Sequence, residues 1–230
     1  MSEFAEPEFA DAAGQPRARI VEALMALLAE KRFEQISLGD VARQAGIGLA
    51  DLRAEFSSLP AILAAHSKII DRKVLAADLS DMAEERPREK LFDILMRRLE
   101  ALAPHKEAIR SLLHSAARNP GLAIMLNGLA LRSLQFMLTA ADIRVSGAKG
   151  MLRAQGLALL YGRVLQIWAN DEDPGLARTM AALDRELLRG ARWSGFLDDL
   201  CCIPEIVCRG GASWRARRRR GAPGEDNVAA

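Results

Sequence analysis

Three cysteines and three histidines are the side chains of this sequence that could ligate a metal or act as nucleophiles. They are Cys201, Cys202, Cys208, His66, His105 and His114. The cysteine spacing fits no zinc template, and adjacent cysteines do not easily form a disulfide with each other. The histidines are scattered singly along the predicted helical region, and none has a ligand partner three or four residues away. The sequence therefore predicts reduced thiols, ordinary histidines and no metal site.

Two further kinds of chemistry depend on glycine-containing turns that do not occur in the 230 residues. A Gly-x-Ser-x-Gly turn seats the nucleophilic serine of many hydrolases. Glycine-rich loops cradle the phosphates of nucleotides. Without either pattern, the sequence predicts neither an enzyme nor a bound cofactor.

Basic side chains remain, because guanidinium and ammonium groups bind phosphate. The formal net charge is +2, but residues 209–230 hold six arginines against two acidic residues, so the rest of the chain carries −2. Residues 17–73 contain nine Lys or Arg and seven Asp or Glu. The excess of positive charge in this segment is small for a protein that binds nucleic acid through its phosphates. A two-fold dimer would double it.

The segment from Ser37 to Phe56 predicts two short helices joined by a tight turn. Ser37 is a good N-cap, and Asp40 is well placed against the positive end of the first helix. Gly46 ends that helix, because glycine adopts a left-handed conformation without steric cost. The apolar face predicted for the second helix consists of Leu49, Leu52 and Phe56.

A third helix is predicted upstream, from Arg17 to about Lys31. Its apolar stripe consists of Ile20, Leu24, Leu27 and Leu28. Two short crossed helices bury little surface by themselves and are normally mounted on such a helix. A three-helix unit with a short exposed last helix is suited to entering the DNA major groove.

Residues 17–66 resemble the TetR/AcrR family of bacterial transcriptional regulators. The resemblance is carried by RARIVEALMALLAEKRF, by LGDVARQAGIGLADLRAEF and by SSLPAILAAH. The residues that match the family pattern are Phe33, Ser37, Ala45, Gly46, Ile47 and Phe56. The resemblance implies an all-α fold, in which a helix-turn-helix domain precedes a larger helical bundle. It also implies a cytoplasmic repressor that acts as a homodimer and releases operator DNA when the bundle binds a small apolar effector.

The resemblance places the DNA contacts on the second helix of the motif and its surroundings. The predicted contacts are Arg17, Arg19, Ser37, Arg43, Gly48, Leu49, Ala50, Asp51, Arg53, Ala54 and Lys68. Arg53 stands where the family commonly has Tyr, and its guanidinium group can replace that residue as a phosphate ligand. Asp51 and Glu55 are departures with two interpretations. They accept hydrogen bonds from cytosine amino groups, or they mark a domain that no longer binds DNA tightly.

Prolines, glycines and Asn119 divide the remaining chain into predicted helices. The predicted helices run from Pro60 to about Glu84, from Pro87 to Leu102, from Lys106 to Arg118, from Pro120 to about Ala141, from Gly147 to Ala169 and from Gly175 to Trp193. In the first of them, the residues predicted to face the core are Ile62, Leu63, Ile69, Ile70 and Val74.

Four regions are predicted along the chain. They are a disordered arm (1–15), a helix-turn-helix domain (16–60), an effector-binding and dimerisation bundle (61–200) and an Arg-rich disordered tail (201–230). The acidic first residues do not resemble a signal or transit peptide. Apolar runs such as 122–131 are too short to span a membrane.

Two further sites are predicted in the bundle. Apolar residues with a few polar neighbours are typical of a small-molecule pocket. The candidates are Met125, Gln135, Phe136, Tyr161, Gln166 and Trp168. Gly156 and Gly162 allow close approach of another helix, either across a dimer interface or within one chain.

A second resemblance covers the segment LQIWANDEDPGLARTMAALDRELLRGARW. It is similar to the C-terminal helices of lipid-binding accessory proteins of coenzyme Q biosynthesis, which share the fold but have lost the DNA-reading residues. The matching residues are Trp168, Asp171, Glu172, Asp173, Thr179 and Leu183. A basic rim beside Arg53 would favour the DNA-binding alternative, and an acidic rim would favour the lipid-binding one.

Overall fold

The computed structural model describes residues 8–77 and 84–190, with side chains from residue 16 onward. These two ranges contain nine α-helices and no strand. The helices are α1 (Glu8–Glu30), α2 (Leu38–Ala45), α3 (Leu49–Glu55), α4 (Leu59–Leu75), α5 (Pro87–Leu102), α6 (Lys106–Arg118), α7 (Pro120–Ala140), α8 (Gly147–Ala169) and α9 (residues 177–190). Short 3-10 turns occupy Phe33–Gln35 and Ala103–His105. The all-α prediction is confirmed.

Prolines and capping residues set several of the helix ends, as predicted. Pro87 and Pro120 stand in the first turns of α5 and α7, where the missing amide hydrogen costs nothing. The Asn119 side chain accepts a hydrogen bond from the Leu122 amide at 3.0 Å and so caps α7. The predicted bounds of α5, α6 and α8 agree with the observed helices and are confirmed.

The structure corrects three helix ends. α1 begins at Glu8, inside the segment predicted as a disordered arm, because Ala-rich sequence with acidic residues near its start favours a helix despite Pro16. α4 ends at Leu75 rather than near Glu84, and the basic residues Arg72 and Lys73 in its last turn suit the negative helix end. α9 is helical from 177 rather than 175, and its predicted end at Trp193 lies outside the described residues.

Two buried clusters hold the helices together. The first joins α1, α2 and α3 to the start of α4 and to α6 and α7, and the second joins the end of α4 to α5, α7, α8 and α9. The predicted α1 stripe is confirmed, since its four residues are at most 6% exposed. Ile69 is 39% exposed, so its predicted burial is wrong. The buried α4 positions Ile62, His66, Ile70 and Val74 recur every four residues, and Ile69 lies off that stripe.

The described residues up to Leu187 form one compact unit. Within this unit α1 packs on α2, α4 and α6, so the helix-turn-helix and the bundle share contacts. The predicted boundary at residue 60, between a DNA-binding domain and an effector-binding bundle, stays a prediction. Cys201, Cys202, Cys208 and the Arg-rich tail lie outside the described residues.

α7 is long and apolar enough to cross a membrane by length and composition, unlike the shorter run considered in the sequence. In the structure it packs against α4, α5, α6 and α8 as a helix of the bundle. Its most apolar stretch is nevertheless only 28% buried, and Ile124 and Phe136 are exposed. This face of α7 is therefore available for contacts outside the described unit.

Candidate nucleic-acid interface and ligand cavity

The first helix of the predicted motif begins with a capping box. The Asp40 amide donates to the Ser37 hydroxyl oxygen at 3.1 Å, and the Ser37 amide donates to the Asp40 carboxylate at 3.0 Å. The Asp40 carboxylate accepts hydrogen bonds from the Ser37 hydroxyl and from the Ser37 amide, and these two bonds lower its pKa to about 2. Ser37, predicted as a DNA contact, therefore lies at the N-cap of α2 and is exposed there.

The turn after α2 depends on Gly46, which has a left-handed backbone (φ 65°, ψ 39°) as predicted. The Ile47 amide donates to the Ala42 carbonyl at 3.1 Å and closes the turn. Arg19 of α1 donates to the Ala45 carbonyl at 2.8 Å and to the Gly46 carbonyl at 3.4 Å. Arg19 therefore satisfies carbonyls at the end of α2, a role that sequence spacing did not reveal.

α3 follows the turn and presents one face to solvent. The Gly48 amide donates to the Asp51 carboxylate at 3.3 Å, which caps the start of the helix. Leu52 and Phe56 are buried, as predicted, but Leu49 is 58% exposed and its predicted burial is wrong. Leu49 stands at the first position of α3 and belongs to neither buried cluster. The exposed face of α3 consists of Leu49, Ala50, Asp51, Arg53 and Ala54.

Several charges around α3 are engaged within the protein. Arg17 forms an ion pair with Glu55 at 3.3 Å, and its guanidinium carbon lies 4.4 Å from the centre of the Phe56 ring. Arg43 pairs with Asp40 at 3.1 Å. Among the described residues, Arg53 has no hydrogen bond or ion pair.

Lys68 is exposed on α4. It lies nine residues beyond the helix start, about 13 Å along the axis. Of the five predicted cationic contacts, Arg53 and Lys68 are therefore the ones that no internal contact of the described protein uses. The rim beside α3 is a mixture of paired charges around the free Arg53.

A second candidate site is a cavity of about 490 Å³ in the bundle, called here the central cavity. Its wall is mostly aliphatic and is supplied by α1 and by α4 to α8. The polar side chains in the wall are His66, Ser67, Arg98, Asn127, Tyr161, Arg163 and Gln166. The volume falls within the range of small-molecule sites.

Only two of the six predicted pocket residues line the central cavity. Tyr161 and Gln166 line the central cavity, whereas Met125, Gln135, Phe136 and Trp168 are not part of its wall. Phe136 is 61% exposed, and Trp168 is 1% exposed in the core with the Lys106 ammonium 5.5 Å from its ring centre. The cavity wall thus contains two of the six predicted residues, because helical spacing alone does not show which face of a helix meets a cavity. The predicted effector pocket stays a prediction.

The predicted dimer positions lie on α8. Gly156 is exposed, while Gly162 is half-buried and lines the central cavity. A Cβ atom at either position would meet nothing within 4 Å. Met151, Leu152 and Leu159 are exposed apolar residues of the same helix. Exposed apolar side chains of α8 thus lie near Gly156, together with the exposed charges of Lys149 and Arg163, and Leu159 also lines the central cavity.

Two histidines connect the central cavity to α1. His66 Nε2 lies 3.1 Å from His105 Nδ1, and His105 Nε2 lies 2.9 Å from the Glu22 carboxylate. A carboxylate only accepts, so a neutral His105 donates to Glu22 and accepts from His66. Burial, helped by the nearby His105, lowers the pKa of His66 to about 4, and His66 is neutral at pH 7.

A buried ion pair lies beside the histidines. Arg98 donates to Asp71 at 2.5 Å, and the Ser133 hydroxyl donates to the same carboxylate oxygen at 2.6 Å. Arg98 is 7% exposed and Tyr161 is 2% exposed. Neither Arg98 Nε nor the Tyr161 hydroxyl has a hydrogen-bond partner among the described residues. Burial raises the pKa of Tyr161 to about 12, against the opposing effect of the Arg98 guanidinium, so Tyr161 stays protonated.

The residues of the second resemblance have a structural role. Asp171 accepts from the Thr179 hydroxyl at 2.6 Å and from the Thr179 amide at 3.0 Å. Both residues are at most 1% exposed, and the hydroxyl bond lowers the pKa of Asp171. This contact ties the loop after α8 to the start of α9. No group of three potential metal ligands occurs among the described residues.

Comparison with known structures identifies the fold. A TetR transcriptional regulator from Nitrosomonas europaea ATCC 19718 superimposes with a TM-score of 0.59 at 22% identity, covering 76% of this chain and 97% of that one. A TetR transcriptional regulator from Rhodococcus sp. RHA1 gives 0.54 at 20% identity, over 78% and 97%. A TetR-family regulator from Streptomyces coelicolor gives 0.55 at 12% identity, over 91% and 99%.

These three similarities show that the chain has the fold of TetR-family regulators. The fold predicted from residues 17–66 is confirmed. No protein-family model and no curated protein matches the sequence. At such identities the structures establish the architecture, and the function is argued from the residues of this chain.

Proposed function

We propose that this chain, which has the fold of TetR-family regulators, is a DNA-binding transcriptional repressor controlled by a small-molecule effector. The observation that carries the proposal is the exposed face of α3. It lies directly after a closed helix-turn-helix turn, and Arg53 is the cation on it that no other described residue engages. A short helix presented in this way fits the DNA major groove.

The side chains of α3 suit a contact with DNA bases and phosphates. Arg53 can bind phosphate oxygens or a guanine edge in a bidentate manner. Leu49 supplies an exposed apolar group that can contact a thymine methyl group. Asp51 and Glu55 are held by Gly48 and Arg17, so the two acidic departures have internal roles that are compatible with DNA binding.

A dimer follows from the size and charge of this surface. One short helix reads few base pairs, and two protomers double both the base contacts and the phosphate contacts. We place the dimer contact on the outer face of α8, around Gly156 and its exposed apolar neighbours. A two-fold dimer would read a palindromic operator.

Effector control is supported by the shared wall of the central cavity. Met25 of α1 and Leu63 and His66 of α4 all line it. A ligand in the cavity therefore touches α1, on which α2 packs, and α4, which follows α3 in the chain. The path from His66 through His105 to Glu22 is a second contact between cavity and α1. We infer that a ligand which shifts these helices releases the operator.

The lipid-binding alternative is not favoured. Asp171 and Thr179, on which that resemblance depended, form an internal cap. The three structures that share the fold are transcriptional regulators.

Selection from random duplex DNA tests the proposal. Purified protein is expected to enrich a palindromic duplex, and Arg53→Ala should weaken binding to it by about 1–3 kcal/mol. Arg118→Ala is the matched control, because it removes the same charge from an exposed position on α6 and should leave affinity unchanged. Failure to enrich any duplex, or equal affinity of the Arg53 variant and wild type, would contradict a DNA-binding role for α3.

A further inference from the structure

The central cavity has a wall that selects for aliphatic material. Leucine, isoleucine, methionine and alanine side chains from six helices make up most of it, and neither Asp nor Glu belongs to the wall among the described residues. At about 30 Å³ per water-sized group, the volume corresponds to on the order of 15 non-hydrogen atoms. A ligand that fills it is mostly hydrocarbon.

The charge of the wall is already balanced. Arg98 is the buried cation, and Asp71 behind it neutralises that charge at 2.5 Å. Arg163 is exposed and pairs with Glu186 at 3.4 Å. A ligand carboxylate would add a second anion to one buried cation, and a ligand ammonium would meet no carboxylate among the described residues of the wall. Burying either charge without a partner is unfavourable.

Two residues of the wall nevertheless hold buried hydrogen-bond donors. Arg98 Nε and the Tyr161 hydroxyl are buried donors without an acceptor among the described residues. The Asn127 side chain, in contrast, is paired with Gln155 through two amide hydrogen bonds at 3.1 and 3.2 Å. The unmet donors of Arg98 and Tyr161 call for an acceptor that carries no charge.

We propose that the central cavity binds an uncharged, mainly aliphatic molecule whose single hydroxyl or carbonyl oxygen accepts hydrogen bonds from Tyr161 and Arg98. Medium-chain alcohols, aldehydes and ketones belong to this class. The inference names the chemical class of the effector and so rests on the proposed function. The ligand is recognised by two features at once, the aliphatic wall for its chain and the buried donors for its oxygen.

Three compounds with the same chain and different head groups test the proposal. Decanol, decanoate and decylamine are titrated into the full-length protein at pH 7 without DNA, and binding is measured by calorimetry. Decanol is expected to bind at least tenfold more tightly than either charged compound. Equal or tighter binding of decanoate, or no binding of decanol, would overturn the proposal.

The Tyr161→Phe variant tests the predicted donor. It removes an oxygen that has no hydrogen-bond partner within the described part of the chain, so the fold should be kept. The affinity for decanol should fall roughly fivefold to tenfold. Ser67→Ala is the matched control, because it removes another hydroxyl from the cavity wall and should have no effect. Unchanged decanol binding by Tyr161→Phe would refute the role of Tyr161. Because these measurements contain no DNA, they fail independently of the duplex selection that tests the proposed function.

Discussion

Replacing Gly46 by alanine isolates the backbone strain of the helix-turn-helix turn. Gly46 has φ 65°, and a Cβ atom there would meet nothing within 4 Å. Steric clash with neighbouring side chains is therefore excluded as a cause, and the cost comes from the left-handed conformation itself. For an L-residue that conformation costs about 1–2 kcal/mol.

Gly39→Ala is the matched control, because both changes remove the same freedom from the unfolded chain. Gly39 lies inside α2, and its added Cβ would be 3.6 Å from the Ser37 hydroxyl oxygen, an ordinary contact. Alanine there should raise the free energy of unfolding by about 0.5–1 kcal/mol. The unfolded-state contributions cancel in the comparison. The two variants should therefore differ by at least about 1–2 kcal/mol, with Gly46→Ala the less stable.

Urea unfolding of the two variants measures this difference, provided that the denaturant dependence stays the same. DNA binding should fall with Gly46→Ala, because Ile47 and α3 are placed by the turn. Equal midpoints for the two variants would refute the left-handed turn and the placement of α3 that depends on it.

Two further predictions concern the bundle. Gly156→Leu should give a monomer in light scattering at micromolar concentration while the fold remains stable. Gly128→Leu on α7 is the control. A Gly156→Leu variant that stays a dimer would contradict an interface on α8. The folded pKa of His66, about 4, lies below the ordinary value of 6.5, so the unfolded chain binds more protons between these values. The contribution of His66 to the free energy of unfolding is therefore fully present above about pH 6.5. It falls by roughly 3 kcal/mol as the pH drops from there through 4. His66→Gln should flatten that loss in urea titrations, whereas parallel profiles would assign it to other groups.

Much of the fold follows from local sequence chemistry. Gly46, Pro87 and Pro120 constrain their own backbone, so the turn and the starts of α5 and α7 could be predicted without knowing the neighbours. The end of α4 could not, because residues after Leu75 include good helix formers and the end depends on what the bundle can bury. Leu49 and Ile69 match an apolar period but lie beside the buried stripe, so their exposure depends on the angle at which each helix packs.

The candidate sites were less predictable than the helices, because they combine residues distant in sequence. Met25, His66 and Arg98 line one cavity, although each reads as an ordinary residue of its own helix. Arg17 and Arg19 read as phosphate ligands, yet they contact residues 26 to 38 positions away. The spacing of residues along the sequence does not predict such long-range contacts. The predicted contacts Arg53 and Lys68, in contrast, are exposed, and their roles stay predictions.

The engagement of Arg17, Arg19 and Arg43 within the protein has a consequence for the response to ionic strength. If Arg53 and Lys68 are the only described residues that bind phosphate, a dimer neutralises about four phosphates. The logarithm of its affinity for DNA then falls against the logarithm of the salt concentration with a slope of roughly −4. Raising salt from 50 to 200 mM would then cost about a hundredfold in affinity, against the 10³ to 10⁵ typical of proteins that contact six to ten phosphates. An operator complex of this kind would keep more of its occupancy in a cell under osmotic stress than one held mainly by phosphate contacts.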